Sequence, residues 1–586
     1  MSLPPKYPAL TFNSPGCTSR SAAFAFVPLV AFRVTQMPSE QEIAFPVLGS
    51  AHLEALAHRG HRRAVRAGDV LFTEGDRNFC FYVVVEGAVA IIDHSSGTER
   101  LVRMHLPGEF TGDVDMLSGR SALIAARVEQ DGSLIELDTD ELRRVVDEIP
   151  DLGETIVKAF LARRSLLISQ GFEGVKILGS RFSPEAHRLR DFATRNAIPF
   201  HFVDLDSDEQ ADALLRQLGI SAADTPIVMG RHGEYHKRPS IAAFAACAGL
   251  TYSLEADHIY DLVVVGAGPA GLAASVYGAS EGLDVLTLEA LAAGGQSGTS
   301  ARIENYLGFP AGISGEELTR NALLQAQRFG ARITVPCEVR SLGIDGGERV
   351  VTLVDGTRIR TRCVLVASGV RYRGLGVPHE NEFKGAGIYY AATDIEARLC
   401  GGENVVVVGA GNSAGQAIVH LARHARHVHV LVRGNDLGAS MSRYLVDQVQ
   451  GIENVTVSLG STVTQLEGNG HLRSIRYSAQ DGVEKQIDTS SLFLFIGAQA
   501  NTDWLRGCVA LDKSGFVLTG TSLPPETAET DRWRTTARRP FLLETSLPGV
   551  FAAGDVRSGS VKRCASAVGE GSMSVSFVHA CIARPA

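Results

Sequence analysis

From about His52 to Arg103, short runs rich in Val and Phe alternate with glycine-bearing turns, as in AGDVLFTEGD, FYVVVEGAVAIID and, just beyond, LPGEFTGDVDMLSGRSA. Period-two runs broken by such turns predict a small all-β roll. The segment DELRRVVDEIPDLGETIVKAFLARRSLLI then changes to helical spacing of apolar residues, so helices close this unit near residue 170. Residues 174–250 read β-α-β-α-β, with VKILG, PFHFVDLD and TPIVMG as strands and SPEAHRLRDFATRNA as the first helix. Further on, DLVVV from Asp261 and NVVVV from Asn404 are apolar without alternation, the signature of strands buried on both faces, and each runs into a glycine-rich turn and a helix. The order of elements predicts a multidomain α/β chain: a β-roll, a small α/β unit, then two Rossmann-like three-layer dinucleotide-binding domains.

Length agrees, since 586 residues are too many for one hydrophobic core. Apolar residues make up 45% and charged ones 21%, with no run long enough to span a bilayer, so the reading is a soluble, cytoplasmic protein with no membrane partner. The net charge of -9 is spread along the chain and leaves no basic footprint for nucleic acid. Nine scattered cysteines form neither a C-x-x-C pair nor a metal-ligand spacing, so no metal site is expected. The first 39 residues carry Lys6, Arg20 and Arg33, no acid, and an apolar stretch from Ala22 to Phe32. No small-residue cleavage site follows. Residues 1–45 are therefore read as a disordered leader, with translation of 1–36 left open and Met37 marking the start of ordered sequence.

The chemistry concentrates after Asp261. Gly266-x-Gly268-x-x-Gly271 follows a buried strand, with Pro269 and Ala270 between the glycines, and opens a helix; Glu289 ends the next strand. Strand, turn, helix and a delayed acid form the full dinucleotide fingerprint, in which bare backbone approaches a pyrophosphate and the acid accepts from ribose hydroxyls. The pattern repeats as Gly409-x-Gly411-x-x-Ala414, with Asn412 and Ser413 inside it. Here Val432 stands opposite Glu289 and Arg433 follows; without the acid and with an arginine, this site favours NADPH over NADH, and Arg443 is a second candidate for the 2'-phosphate.

Two such units, with AGGQS at 293–297, IENYLGFP at 303–310, VLVASGVRYRGLGVP at 364–378, LFIGAQANT at 494–502, VFAAGDV and KRCASAVGEG, resemble the thioredoxin reductase family of pyridine nucleotide-disulfide oxidoreductases over residues 258–586. The resemblance implies FAD contacts at Gly295, Gln296, Asn305, Val339, Ala367, Asp555, Lys562, Arg563 and Cys564, and a homodimer. It also implies a discontinuous FAD domain, 258–378 and 490–586, around an NADPH domain at 379–489, with hinges at 375–380 and 489–493. The family's redox C-A-T-C falls on Tyr390 to Thr393; both cysteine positions are replaced, by Tyr390 and Thr393, and only Asp394 remains. A disulfide relay needs two thiols, so electrons are expected to leave a reduced flavin for an unidentified acceptor or redox partner protein.

The unit at 171–252 resembles a thioredoxin or glutaredoxin fold, with Thr225-Pro226 at the cis-proline position and Ser183-Pro184-Glu185-Ala186 where that family has C-P-x-C. It too lacks both thiols. The roll, bounded at 46–170, resembles a cyclic-nucleotide-binding domain, which implies a cAMP-like regulator at a cassette of Gly112, Asp113, Arg120 and Ser121. Two functions emerge: an NADPH-dependent flavin oxidoreductase gated by a cyclic nucleotide, or a redox sensor that docks a partner without turnover.

Overall fold

The computed structural model describes residues 39–583 apart from 78, 95–98, 114–115, 118–120, 170–173, 208–220, 231–233, 251–253, 255–257 and 537. The expected leader up to residue 38, Arg120, and the second helix expected between 205 and 225 lie wholly or mostly outside these residues. The last seven residues assigned to that leader are ordered. Ser39 and Glu42 form a reciprocal capping box for the helix Glu40–Ala44, Ala44 is fully buried, and the Phe45 ring lies 4.6 Å from the Arg103 guanidinium. The cap and its apolar anchor are why the chain orders earlier than composition alone suggested.

The β-roll is one antiparallel sheet, His61–Val65, Ala125–Leu137, Phe81–Asp93 and Arg100–His105 in that order, with Val70–Phe72 also paired to Ala125–Leu137. Phe81–Asp93 is buried over most of its length, and the rings of Phe81, Phe110 and Phe160 meet in the core of the roll at 5.4 to 6.3 Å. Phe160 comes from Pro150–Ser169, the long helix that closes the roll. The next unit is a four-stranded sheet ordered Phe200–Asp204, Val175–Gly179, Ile227–Met229, Tyr235–Lys237, parallel only in its first pair, with helices Pro184–Arg195 and Ile241–Cys247. Its Thr225-Pro226 peptide is cis.

Two larger sheets follow, the first mixed, with Glu348–Leu353 and Val339–Asp345 added antiparallel at one edge, and the second all parallel. In the first, Arg332–Thr334, Val285–Leu288, Ile259–Val265 and Arg358–Val366 lie side by side, and Val550–Ala552 pairs parallel to Arg358–Val366. A strand from near the C-terminus thus completes the sheet begun at 259, and this domain is discontinuous. In the second, the order is Ile388–Tyr389, Ser491–Leu494, Asn404–Val408, His427–Leu431, Val455–Ser458. Val405 to Val407 are completely buried, because the helices Asn412–Leu421 and Arg443–Gln450 cover one face and an antiparallel sheet of Thr462–Gly468, Leu472–Ser478 and Glu484–Asp488 covers the other.

The second sheet corrects one boundary. Residues 489–493, expected as a hinge, enter the sheet as Ser491–Leu494 between two other strands, where ladder bonds on both sides hold them. The crossing lies further on, at a two-stranded ribbon of Val370–Tyr372 and Ala498–Ala500. Gly376 and Gly497 flank it with positive φ and open space around them, and Arg373 N–H donates to Gly497 O at 3.0 Å. The inserted domain therefore runs to about residue 497.

Candidate functional site

At the end of Ile259–Val265 the chain turns through Gly266, at φ 104°, where a Cβ would sit 2.4 Å from Ala367 O. Gly268 caps the helix Pro269–Ser280 with no side-chain bond, so its first-turn donors are left for a ligand. A Cβ on Gly271 would lie 1.8 Å from Gly266 O, so the strand and helix meet backbone to backbone. Glu289 is fixed beside this turn: one carboxylate oxygen accepts from Ala267 N–H at 2.8 Å and the other from Leu291 N–H at 2.9 Å.

The structure gathers most of the expected FAD residues around this cradle. Gly295 faces Gly268, since its Cβ would come within 3.0 Å of Gly268 Cα. Gln296 donates to Val370 O. Cys337 N–H donates to Glu289 O at 2.7 Å, which sets Val339 nearby at a sheet edge. The final helix, Cys564–Ile582, lies on Pro269–Ser280 so closely that a Cβ on Gly571 would be 2.1 Å from Ala270 O. Arg563 is the cap residue of that helix. Asp555 sits in the preceding turn; burial pushes its carboxyl up, against the pull of Lys562, whose Nζ donates to Asp555 O at 3.0 Å. Burial also pushes the Cys564 thiol up to about 11. Asn305 lies on an exposed loop.

The second cradle repeats the first with one change. A Cβ on Gly409 would lie 2.4 Å from Phe495 O, and Gly411 caps Asn412–Leu421 with no side-chain bond and open space beside it. Ser413 is exposed, Ala414 is fully buried where the first motif has Gly271, and Asn412 Oδ1 accepts from Ser442 N–H at 2.7 Å. That bond brings Arg443, the next residue, to the mouth of the cradle, where its side chain is exposed and pairs with Asp447 at 2.9 Å. Val432 is buried in place of an acid, while Arg433 is exposed and makes no ion pair among the described residues. Both cradles thus fit dinucleotides: bare backbone, uncapped helix ends, an acid at one and a cation at the other.

The cysteine positions are built differently. Tyr390 stacks on Tyr372 across the two domains, with ring centroids 5.9 Å apart, and its hydroxyl donates to Glu380 at 3.2 Å. Thr393 is tied by backbone N–H and hydroxyl to Glu396, and Asp394 begins the helix Asp394–Leu399. Cys400 is fully buried, and burial pushes its thiol up to about 12. Ser183 caps its own helix, accepting from Ala186 N–H at 3.2 Å, and its hydroxyl donates to Glu185 at 3.3 Å. That helix end lies against the inserted domain. Phe182 stacks on His471 at 4.6 Å, and His187 reaches Glu396 at 3.7 Å. The far end of the same helix touches the first cradle, with Arg195 donating to Gly295 O at 3.2 Å and Asn196 to Leu291 O at 2.9 Å. Sequence reading missed Tyr372, Arg195 and Asn196, since no local pattern marks a residue whose role is a contact between domains.

In the roll, Gly112 takes φ 98° and its carbonyl accepts from Arg163 Nη1 at 2.7 Å, while Arg164 reaches the buried Asp113 at 3.6 Å. Ser121 is half-buried at the edge. Arg163 also donates to Ala44 O at 2.7 Å, and burial lowers its guanidinium to about 9. Around them is a cavity of about 120 Å³ walled by Phe45, Phe72, Phe79, Ile91 and Leu167. Arg328 joins the roll to the first dinucleotide domain, bonding Asp147 at 2.6 Å and Val146 O at 3.1 Å. Among the described residues no helix is long and apolar enough to cross a membrane.

Comparison with known proteins agrees with these features. Residues 260–571 match the model of the pyridine nucleotide-disulphide oxidoreductase family, and residues 62–148 match that of the cyclic nucleotide-binding domain. The chain is 32% identical over 314 residues to a thioredoxin reductase of Mycolicibacterium smegmatis, covering 53% of this chain and 93% of that protein. It is 33% identical over 323 residues to NADPH-dependent thioredoxin reductase 3 of Arabidopsis thaliana, covering 53% of this chain but only 56% of that protein. The crystal structure of a T. acidophilum thioredoxin reductase, at 29% identity, aligns over 56% of this chain and all of that one with a TM-score of 0.49.

Proposed function

The chain belongs to the pyridine nucleotide-disulphide oxidoreductase family, and from that premise we propose that it is an NADPH-dependent flavin oxidoreductase that works without an internal dithiol relay. The observation that carries the reading is the contrast within one half of the chain. Both glycine cradles are open and ready for dinucleotides, whereas the two relay positions hold Tyr390, stacked and hydrogen-bonded, and Thr393, tied to Glu396. When bound, FAD and NADPH supply the chemistry, a hydride passing from nicotinamide to flavin.

The protein's own part is positioning. Gly268 and Gly411 present uncapped helix ends to pyrophosphates, Glu289 accepts from a ribose, and Arg433 with Arg443 pairs with a 2'-phosphate. Asp555, Lys562, Arg563 and Cys564 bring the C-terminal segment to the first cradle. With no thiols at 390 and 393, electrons leave for an external acceptor that docks at the flavin face.

The N-terminal half regulates that exchange. The thioredoxin-like helix Pro184–Arg195 touches the inserted domain at one end and the Gly295 loop at the other, so rotation at the Gly376 and Gly497 crossing has to break or carry those contacts. A cyclic nucleotide in the cassette would displace the Arg163 and Arg164 contacts on Gly112 and Asp113, and so shift the closing helix. A sensor that docks a partner without turnover is the reading a permanently clamped helix would give.

The test is purified full-length protein supplied with FAD, assayed for NADPH consumption against disulfide, quinone, ferredoxin and oxygen acceptors, with and without cAMP. Sustained turnover with at least one acceptor, changed by cAMP, is expected. A single flavin reduction followed by a stall with every acceptor favours the sensor, and a protein that stays colourless ends both readings.

A further inference from the structure

The interior of the β-roll carries more positive charge than its acids balance. Arg163, from the helix Pro150–Ser169, is 6% exposed and forms part of the wall of the cavity between that helix and the sheet. Its Nε donates to Ala44 O and its Nη1 to Gly112 O, both at 2.7 Å, and its Nη2 is buried with no hydrogen-bond partner among the described residues. The rings of Phe45, Phe110 and Phe160 lie 4.5 to 5.9 Å from the guanidinium, which softens the cost of burial but supplies no acceptor. The acids nearby are engaged by other cations. Glu109 accepts from Arg103 at 2.7 Å and lies 3.3 Å from His105, and Arg164 faces Asp113 at 3.6 Å. Burial keeps His105 neutral, with its pKa lowered to about 4. Three cations, Arg103, Arg163 and Arg164, thus stand against two acids, Glu109 and Asp113. Both acids attract Arg163 at longer range, yet burial still lowers its guanidinium to about 9, which leaves it charged at neutral pH.

We propose that this cavity binds a small apolar carboxylate, its anionic group on the Arg163 guanidinium and its body against Phe45, Phe72, Phe79, Ile91 and Leu167. Charge names the anion. A buried cation with an idle N–H is costly, and a carboxylate that accepts from it forms a charge-assisted bond and brings the local charges to balance. Size and wall name the body. The cavity, at about 120 Å³, is in the size class of the roughly 150 Å³ apolar cavity that takes up benzene, so a single ring or a short chain suits it. A strongly hydrated inorganic anion would exchange its water for aromatic and aliphatic side chains, and is excluded by that cost. A cyclic nucleotide is larger and enters only with the cassette rearranged.

Arg163 already joins three segments: the end of the helix Glu40–Ala44, the cassette at Gly112 and its own closing helix. An occupant seated on it adds to those contacts and holds the roll in the closed arrangement. The proposal concerns binding alone, so it stands apart from the flavin reading and from control by a cyclic nucleotide. Neither turnover nor cAMP enters its test.

Full-length protein is titrated separately with para-fluorobenzoate and with trifluorobutyrate, and the bound probe is followed by fluorine NMR. Saturable binding of at least one is expected, the first marking a ring-shaped occupant and the second a chain-shaped one. The neutral amide of the bound acid has the same shape without the charge, and should displace the probe at least about tenfold less effectively than the unlabelled acid. Inorganic phosphate should not displace it. Arg163→Met removes the cation, while Leu167→Trp fills the cavity and leaves the cation in place; each should weaken binding at least about tenfold. No saturable binding of either probe at millimolar concentration, displacement by the amide or by phosphate as effective as by the acid, or affinity unchanged in either variant would each overturn the proposal. The first two outcomes use the unaltered protein, so they stand even if a variant fails to fold.

Discussion

The β-roll cassette and the glycine cradles are both regions where a phosphate-bearing ligand is expected, and they are built in opposite ways. The cradles are kept bare. Their helix ends have no side-chain caps, and a single Cβ at Gly266, Gly271 or Gly409 would strike backbone at 1.8 to 2.4 Å. In the described part of the cassette the Gly112 carbonyl is already bonded by Arg163 and Asp113 is faced by Arg164. A cradle is thus preorganised and binds without rearrangement, whereas the cassette has to exchange internal bonds for ligand bonds, which suits a switch better than a permanent cofactor.

The sharpest way to break that contrast is to spoil a cradle. Gly271→Ala forces a methyl group into Gly266 O, so the flavin-to-protein absorbance ratio should fall roughly tenfold or more while the β-roll stays folded. Next in size is acid. Burial holds His105 neutral with its pKa lowered to about 4, and Glu109, bonded by His105 and Arg103 against the cost of its own burial, is lowered to about 2. Both are depressed in the folded state, so each contributes stability at neutral pH that is lost on acidification. The loss begins near the ordinary histidine value of 6.5 and runs through 4 for His105, then from 4.5 towards 2 for Glu109. The hydrogen-exchange protection factors of Phe81–Asp93, which are corrected for the slower intrinsic exchange in acid, should fall between pH 6.5 and 4, by a loss of local stability on the order of 3 kcal/mol, before the parallel sheets respond.

A smaller effect sharpens the difference between the two cradles. Arg433→Ala should raise the KM for NADPH by about tenfold, close to 1.4 kcal/mol, and leave that for NADH nearly unchanged, as steady-state kinetics with each nucleotide would reveal. The smallest concerns the relay position. Tyr390→Phe keeps the stack on Tyr372 and removes the bond to Glu380, so thermal unfolding should report a loss of about 1 kcal/mol.

The strand-turn-helix grammar made both cradles readable from sequence, because the local spacing of Gly266, Gly268, Gly271 and Glu289 is itself the physical requirement. The split of the first dinucleotide domain, which the resemblance implied, is borne out by the pairing of Val550–Ala552 with Arg358–Val366. Contacts between distant segments were not legible. The hinge was placed inside what is a buried strand at Ser491–Leu494, since an apolar run near a domain edge looks the same whether it crosses or inserts. The Tyr372–Tyr390 stack and the Arg195 contact on Gly295 depend on packing between elements, which no spacing along the chain encodes.

The central claim is a flavin reduced by NADPH with no dithiol in series, and an anaerobic titration of the oxidised protein, isolated without added thiol, with NADPH tests it most directly. The account predicts complete bleaching of the visible flavin band at one equivalent of NADPH per FAD. Uptake of a second equivalent before an end point, or no bleaching at all, would contradict it.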